Sequence, residues 1–323
     1  MEIRSYQKGD EKEIMDLDAR VLPSVWNRRT LANWYWKYTE SNPAGPSFIW
    51  LASHNEKIVA HFAAVPYRLK VFAGEVIASH SIGALVEEKY QNRGLLKLVG
   101  DKLMNDLVGH HIPYTWGFPN QRAYRFEKEA LGYEDLINFD EWQLPKESLY
   151  RDEPPLSFRK VTFFDRDYDQ LWQECAPDYE IAVKRDQTYL NWRFIDRPDW
   201  WYFPYAVYRQ NRLKGYVVLK LYREDDILKG HLVDLFCRRD DEETICQLLD
   251  GAINFFSEQG VDMVTTWIWG SQIIETILSK KGFVRQSTDR PLILRVNIRE
   301  KNHLEILENS HWFFTMGDST EIF

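Results

Sequence analysis

Apolar positions along the chain fall into two alternating spacings, and their order is regular. Residues 3–6 read as a short strand. Asp10 with Glu13 three positions on has the form of a capping box, and Ile14, Leu17 and Val21 then share one helical face before Pro23 stops the helix. A second helix is predicted over residues 29–38. Strand patterns follow at 48–53 and 58–65, joined through His54-Asn55-Glu56-Lys57, and a further hairpin turns at Ala73-Gly74. These make an antiparallel meander. A strand over 79–86 enters a polar turn, after which Leu95, Val99, Leu103 and Leu107 recur every fourth residue up to Gly109. Residues 113–118 are again strand-like, and 120–130 are helical, closing on Leu131-Gly132-Tyr133.

The order then repeats. Thr30-Leu31-Ala32-Asn33-Trp34 returns as Thr188-Tyr189-Leu190-Asn191-Trp192, and Asn55-Glu56-Lys57 returns loosely as Asn211-Arg212-Leu213-Lys214. The helix at Leu95 has its counterpart in Ile245, Leu248, Leu249, Ala252 and Phe256, capped by Asp240 with Glu243 and stopped at Gly260, and Lys281-Gly282-Phe283 echoes Leu131-Gly132-Tyr133. Two diverged units joined by a polar, proline-bearing linker at 145–155 account for this pattern. With 323 residues, both have enough chain for a core.

Composition narrows the function classes. With 41 Lys and Arg against 49 Asp and Glu the net charge is −8, which argues against generic nucleic-acid binding while leaving room for a local basic pocket. The start of the chain lacks a basic-then-apolar leader pattern. No stretch approaches the ~18–20 apolar residues of a membrane helix, so a cytoplasmic protein with no membrane span is expected. Cys175, Cys237 and Cys246 are unclustered and read as small buried apolar residues, with no metal site implied.

Candidate chemistry concentrates at Val86-Glu87-Glu88-Lys89-Tyr90-Gln91-Asn92-Arg93-Gly94-Leu95-Leu96. A glycine between a strand and a helix lets backbone approach a ligand, and free amides at a helix N-terminus bind phosphate. The equivalent turn of the second unit, Cys237-Arg238-Arg239-Asp240-Asp241-Glu242-Glu243, has no glycine, and its acids would repel a pyrophosphate. One anion site is therefore expected, in the first half.

In its element order and in Gln91-x-x-Gly94, the chain resembles the GNAT superfamily of N-acetyltransferases, although Leu96 stands where that family's acyl-CoA motif has a small residue. Gly117-Phe118-Pro119-Asn120 with Leu131-Gly132-Tyr133 is similar to its closing segment, whose Asn contacts the cofactor. The resemblance implies an α/β fold of two tandem GNAT-like units, each a mixed, mainly antiparallel sheet flanked by helices. They would span residues 1–145 and a degenerate 156–297, with a tail at 298–323. The Trp312-Phe313-Phe314-Thr315-Met316-Gly317-Asp318 ending is similar to that of tandem GNAT-like proteins associated with bacterial surface polysaccharides.

That resemblance also implies roles. Acetyl-CoA, or another acyl-CoA, would be held by Leu85, Val86, Gln91, Asn92, Arg93, Gly94, Leu95, Leu96 and Asn120, with no metal. An amide from the strand near Leu85 and Val86 would face the oxyanion. Glu87, Glu88 and His80 are the candidate bases for an amine acceptor. The family's thiolate-protonating tyrosine position holds Lys128, which leaves Tyr124, one turn earlier, as the candidate acid. Each has an ordinary reading beside it: solvated turn charges for the glutamates, packed aromatic residues for His80 and Tyr124. Trp34 and Trp192 read as shared core; Trp267 and Trp269, on one strand face, as core or cleft lining. The implied activity is N-acylation of a primary amine of a small metabolite or amino sugar. An acyl-CoA-binding regulatory protein and a tRNA-dependent aminoacyltransferase are the alternatives.

Overall fold

The computed structural model describes residues 1–22, 30–39, 41–150, 157–199, 201–299 and 303–319. Pro23 and Arg29, part of the expected linker and parts of the tail lie outside them. The first half runs β1 (Glu2–Ser5), α1 (Glu11–Val21), α2 (Leu31–Tyr38), β2 (Phe48–His54), β3 (Lys57–Val71), β4 (Gly74–Val86), α3 (Leu95–Gly109), β5 (Tyr114–Gly117), α4 (Gln121–Leu131), β6 (Glu134–Asn138) and β7 (Glu141–Pro145). In the second come β8 (Phe158–Lys160), α5 (Arg166–Cys175), β9 (Ile181–Val183), α6 (Gln187–Leu190), β10 (Tyr202–Arg209), β11 (Arg212–Glu224) and β12 (Ile227–Cys237). It ends with α7 (Glu242–Gln259), β13 (Met263–Thr266), β14 (Ile268–Trp269), α8 (Gln272–Lys280), β15 (Val284–Gln286), β16 (Pro291–Val296) and β17 (Trp312–Thr315).

Local chemistry sets most boundaries. Thr30 caps α2 by accepting the Asn33 amide at 3.1 Å. The face of α3 formed by Leu95, Val99, Leu103 and Leu107 is buried against β2 and β3. Three expectations shift. Asp10 closes no capping box: its carboxylate takes Arg4 of β1 at 2.7 and 2.8 Å, a charged partner that outcompetes a helix amide. The β3–β4 turn lies one residue earlier, at Phe72 and Ala73, since Val71 pairs with Gly74. Helix α7 is capped by Asp241, whose carboxylate reaches the Thr244 amide, rather than by Asp240.

Two mixed sheets result, flanked by helices. One runs β14-β17-β9-β3-β4-β5-β16-β6, with β2 and then β1 branching from β3; the other runs β15-β7-β13-β12-β11-β10-β8. Strand β3 serves both branches because it is long: its first part pairs with β2 and its last three residues with β9. The sheets do not divide the chain at one point. Strand β7 lies between β13 and β15 in the second sheet, and β16 lies between β5 and β6 in the first. The second sheet thus receives β7 from the first half, and the first sheet receives β9, β14, β16 and β17 from the second. The two crossovers touch: Asn138 donates to the Thr288 carbonyl at 2.8 Å, and the Phe139 amide donates to the Arg290 carbonyl at 3.1 Å.

The halves also share a core. Trp36 and Trp192 stack at 4.9 Å and donate their indole N–H groups to each other's carbonyls at 2.7 and 3.2 Å. This reciprocity sets Trp36, not Trp34, opposite Trp192. Trp267 is fully buried against Phe118 and Phe139. Arg185 of the second half holds Asp318 at 2.8 Å and Asp234 of β12 at 3.3 Å, all three buried, so the end of the chain is fastened between the sheets.

Candidate functional site

Strand β4 parts from β5 towards its C-terminal end while staying paired with β3. Against β3, Ile82 pairs with Ala63 and Leu85 with His61, so Gly83 and Ala84 stand opposite Phe62 alone and form a bulge. Gly83 takes a φ of +65°, and a Cβ there would lie 2.9 Å from the His61 ring. On its other side β4 pairs with β5 only from Ser79 to Ser81, opposite Thr115 to Gly117. Beyond that rung the strands diverge, and the β4 backbone leading to Val86 has no ladder partner there among the described residues.

Past Val86 the chain makes a short turn held by Gln91, whose amide donates to the Val86 carbonyl at 3.3 Å. Asn92 and Gly94 are both left-handed, at φ 59° and 71°. Gly94 then starts α3 with no side chain to cap it, and the first turn holds no acid. The leading amides of this helix lack intrahelical acceptors and carry partial positive charge. They border a groove of about 770 Å³ between the end of β4, α3 and the start of α4. Lys97, Arg122 and Arg125 line it, and no carboxylate does among the described residues. Lys97 also meets Asp101 at 2.6 Å and Arg125 meets Glu129 at 3.0 Å along their own helices, so the three cations beside apolar Leu85, Val86 and Phe126 are neutralised in part from outside the lining. Open amides, three cations and a free strand edge suit a polyphosphate with an amide-bearing arm.

Where β4 and β5 last pair, Ser81 and Gly117 form the final rung, and neither lines the groove. Glu127 of α4 meets them: a Cβ on Gly117 would sit 2.7 Å from Ser81 Oγ and 3.1 Å from Glu127 Oε2. Glu127 is 4% exposed, and burial pushes its carboxyl up to about 8, so it is mostly protonated at neutral pH. Burial, and then the neighbouring Glu127, also raise the Tyr133 phenol.

The structure gathers most of the residues expected to hold the cofactor. Leu85, Val86, Gln91, Asn92, Gly94, Leu95, Leu96 and Asn120 line the groove, while Arg93 is exposed on the turn and does not. Asn120 Oδ1 is occupied as the N-cap of α4, accepting from Arg122 and Ala123 at 3.1 and 3.0 Å. The residues expected to be catalytic lie off the groove lining. Glu87 faces Arg20 at 3.6 Å, Lys57 at 3.8 Å and Lys89 at 3.3 Å, and Glu88 is exposed. His80 is buried, stacked on Trp116 and edge-on to Phe118. Tyr124 donates to Asp135 of β6 at 2.7 Å and accepts from Lys128 at 3.2 Å.

This geometry agrees with the comparisons. Residues 2–134 match the family described as acetyltransferase (GNAT) domain. That segment is a GNAT domain. It carries the groove from the bulge to α4 and supports N-acyl transfer from an acyl-CoA. No curated protein matches the chain at a significant level. Among solved structures, a probable N-acyltransferase from Enterococcus faecalis V583 is 15% identical with a TM-score of 0.69, over 91% of this chain and 72% of its own. A GCN5-related N-acetyltransferase from Anabaena variabilis ATCC 29413 is 15% identical with a TM-score of 0.66, over 92% and 73%. Saccharomyces cerevisiae N-myristoyltransferase with bound myristoyl-CoA is 14% identical with a TM-score of 0.63, over 93% and 83%. The fold of two GNAT-like units therefore extends beyond the matched domain. No described helix is long and apolar enough to cross a membrane, and no described cluster of His, Cys, Asp and Glu would hold a metal.

Sequence reasoning missed Gly83, Lys97, Arg122, Arg125 and Glu127. Gly83 had a signal, an isolated glycine inside an apolar strand. Glu127 had none, because a glutamate in a polar helix reads as solvated.

Proposed function

We propose that the protein transfers an acyl group, acetyl first among them, from an acyl-CoA to a primary amine of a small metabolite or amino sugar. The carrying observation is the carboxylate-free groove, where the uncapped start of α3 and three cations lie beside the end of β4, whose edge on the β5 side is free. In this reading the amides from Gly94 to Lys97, with Lys97, Arg122 and Arg125, hold the pyrophosphate. The free edge of β4 pairs with the pantetheine amides, and an N–H near Leu85 and Val86 supports the oxyanion. Acyl-CoA binding in the myristoyl-CoA complex of the yeast enzyme supports the donor class.

A second reading, an acyl-CoA-binding protein without turnover, is favoured by the engagement of Tyr124 with Asp135 and of Glu87 with three cations. Purified protein with acetyl-CoA and a panel of amines separates the two. Thiol release above the amine-free rate supports the enzyme; thermal stabilisation by CoA with no release supports the sensor.

A further inference from the structure

In the acyl-CoA reading, a donor with its phosphates at the start of α3 would run back along the free edge of β4 in the direction of the Ser81–Gly117 rung, where β4 and β5 close. Glu127 stands at that rung. On α4 it shares a face with Ala123, one turn before, and Ala130, one turn after; both line the groove, while Glu127, 4% exposed, lies off the lining itself. Its Oε2 has no hydrogen-bond partner among the described residues. Gly117 leaves the space that the carboxyl and the Ser81 hydroxyl share.

The second unit shows that the fold does not require an acid here. Its matching helix, α8, buries Ile274, Ile277 and Leu278, and β13, the counterpart of β5, ends on Thr266, which donates to the Leu232 carbonyl at 2.8 Å. A buried polar group with no partner costs stability, so an aliphatic side chain would serve packing better. Tyr124 is engaged elsewhere, donating to Asp135 at 2.7 Å.

Resting on the acyltransferase reading above, we propose that Glu127 is a catalytic acid that protonates the sulfur leaving the acyl-CoA. The amine lone pair forms the C–N bond, the C–S bond breaks, and its electron pair goes to sulfur, which takes the Glu127 proton and leaves as a thiol. The carboxylate then recovers a proton from the newly acylated nitrogen, so atoms and charge balance over a turnover. The groups facing Glu127 are Ser81 of β4, Gly117 of β5, Ile293 of β16 and the Tyr133 phenol, with Arg295 of β16 near that phenol. Burial, the one cause that shifts Glu127, keeps it in the proton-bearing form at neutral pH.

The test is kcat and KM across pH for the wild type, Glu127→Gln and Glu127→Asp, with thermal melts to establish folding and calorimetry for CoA binding. In Glu127→Gln we expect kcat to fall by about 100-fold or more, with CoA affinity retained. The wild type should lose kcat as pH rises through about 8, and this limb should vanish in Glu127→Gln. If that variant does not fold, Glu127→Asp carries the test, with kcat reduced and the limb retained. Wild-type turnover with an unchanged rate and pH profile in the variants overturns the role of Glu127 alone. A wild type that binds CoA but acylates no amine overturns the catalytic reading and this role together.

Discussion

The starts of α3 and α7 occupy equivalent places in the two units, each following the last strand of a meander, yet they resolve their free amides in opposite ways. At α7 the protein satisfies its own helix. Asp241 accepts from the Thr244 amide at 3.1 Å and the Thr244 hydroxyl at 2.7 Å, Glu242 and Glu243 fill the first turn, and Arg209 bridges Asp241 and Glu243 at 3.4 and 3.1 Å. Hydrogen bonds from Thr244 hold the Asp241 carboxyl below its ordinary range although its burial pulls the other way. At α3 nothing caps the amides, and the acids are replaced by surrounding cations. The difference is one of chemistry at equivalent places: an N-cap contributes about 1 kcal/mol, and α3 forgoes it where the pyrophosphate is proposed to sit.

The sharpest way to break the comparison is to give α3 the chemistry of α7. Gly94→Asp places a capping carboxylate where the pyrophosphate is proposed to sit. CoA affinity measured by calorimetry is expected to drop at least ~100-fold, with the melting temperature little changed because the new cap offsets the left-handed strain. Unchanged affinity would refute the placement of the site.

Next in size is the final rung of β4 and β5. Native Glu127 holds its proton up to pH about 8, while an unfolded chain releases it near 4.5, so the native state binds more protons between those values. Stability should therefore fall as pH rises through this window, by roughly 1.4 kcal/mol per unit, and Glu127→Gln should flatten the slope. Denaturant melts across the window measure it; parallel slopes would show that the carboxyl is not held neutral. A smaller effect is expected from Arg122→Ala with Arg125→Ala, about tenfold in CoA affinity and shrinking with added salt. The smallest is Asp241→Ala, a loss of about 1 kcal/mol in unfolding free energy with CoA binding untouched.

Much of this was readable because it is local. The every-fourth-residue spacing from Leu95 to Leu107 gave α3, and Gln91-x-x-Gly94 before it marked the turn that borders the groove. Eight of the nine residues expected at the cofactor line one cavity: seven belong to a contiguous strand, turn and helix start, and Asn120 comes from the cap of α4. The expected acid and bases did not fall on that lining, because helix spacing alone does not say which face of α4 meets the groove or that Asp135 takes the Tyr124 hydroxyl.

By itself, then, the sequence determined most of the elements and their order, which are set by interactions within a few residues, and it singled out the turn before α3. Only the tertiary structure decided that β7 and β16 trade sheets, because a strand's own pattern does not name its neighbour and the partners lie over a hundred residues away. It also decided the state of Glu127. A carboxyl's charge depends on what surrounds it, and here β4, β5 and β16 together remove the water that would have kept it ionised.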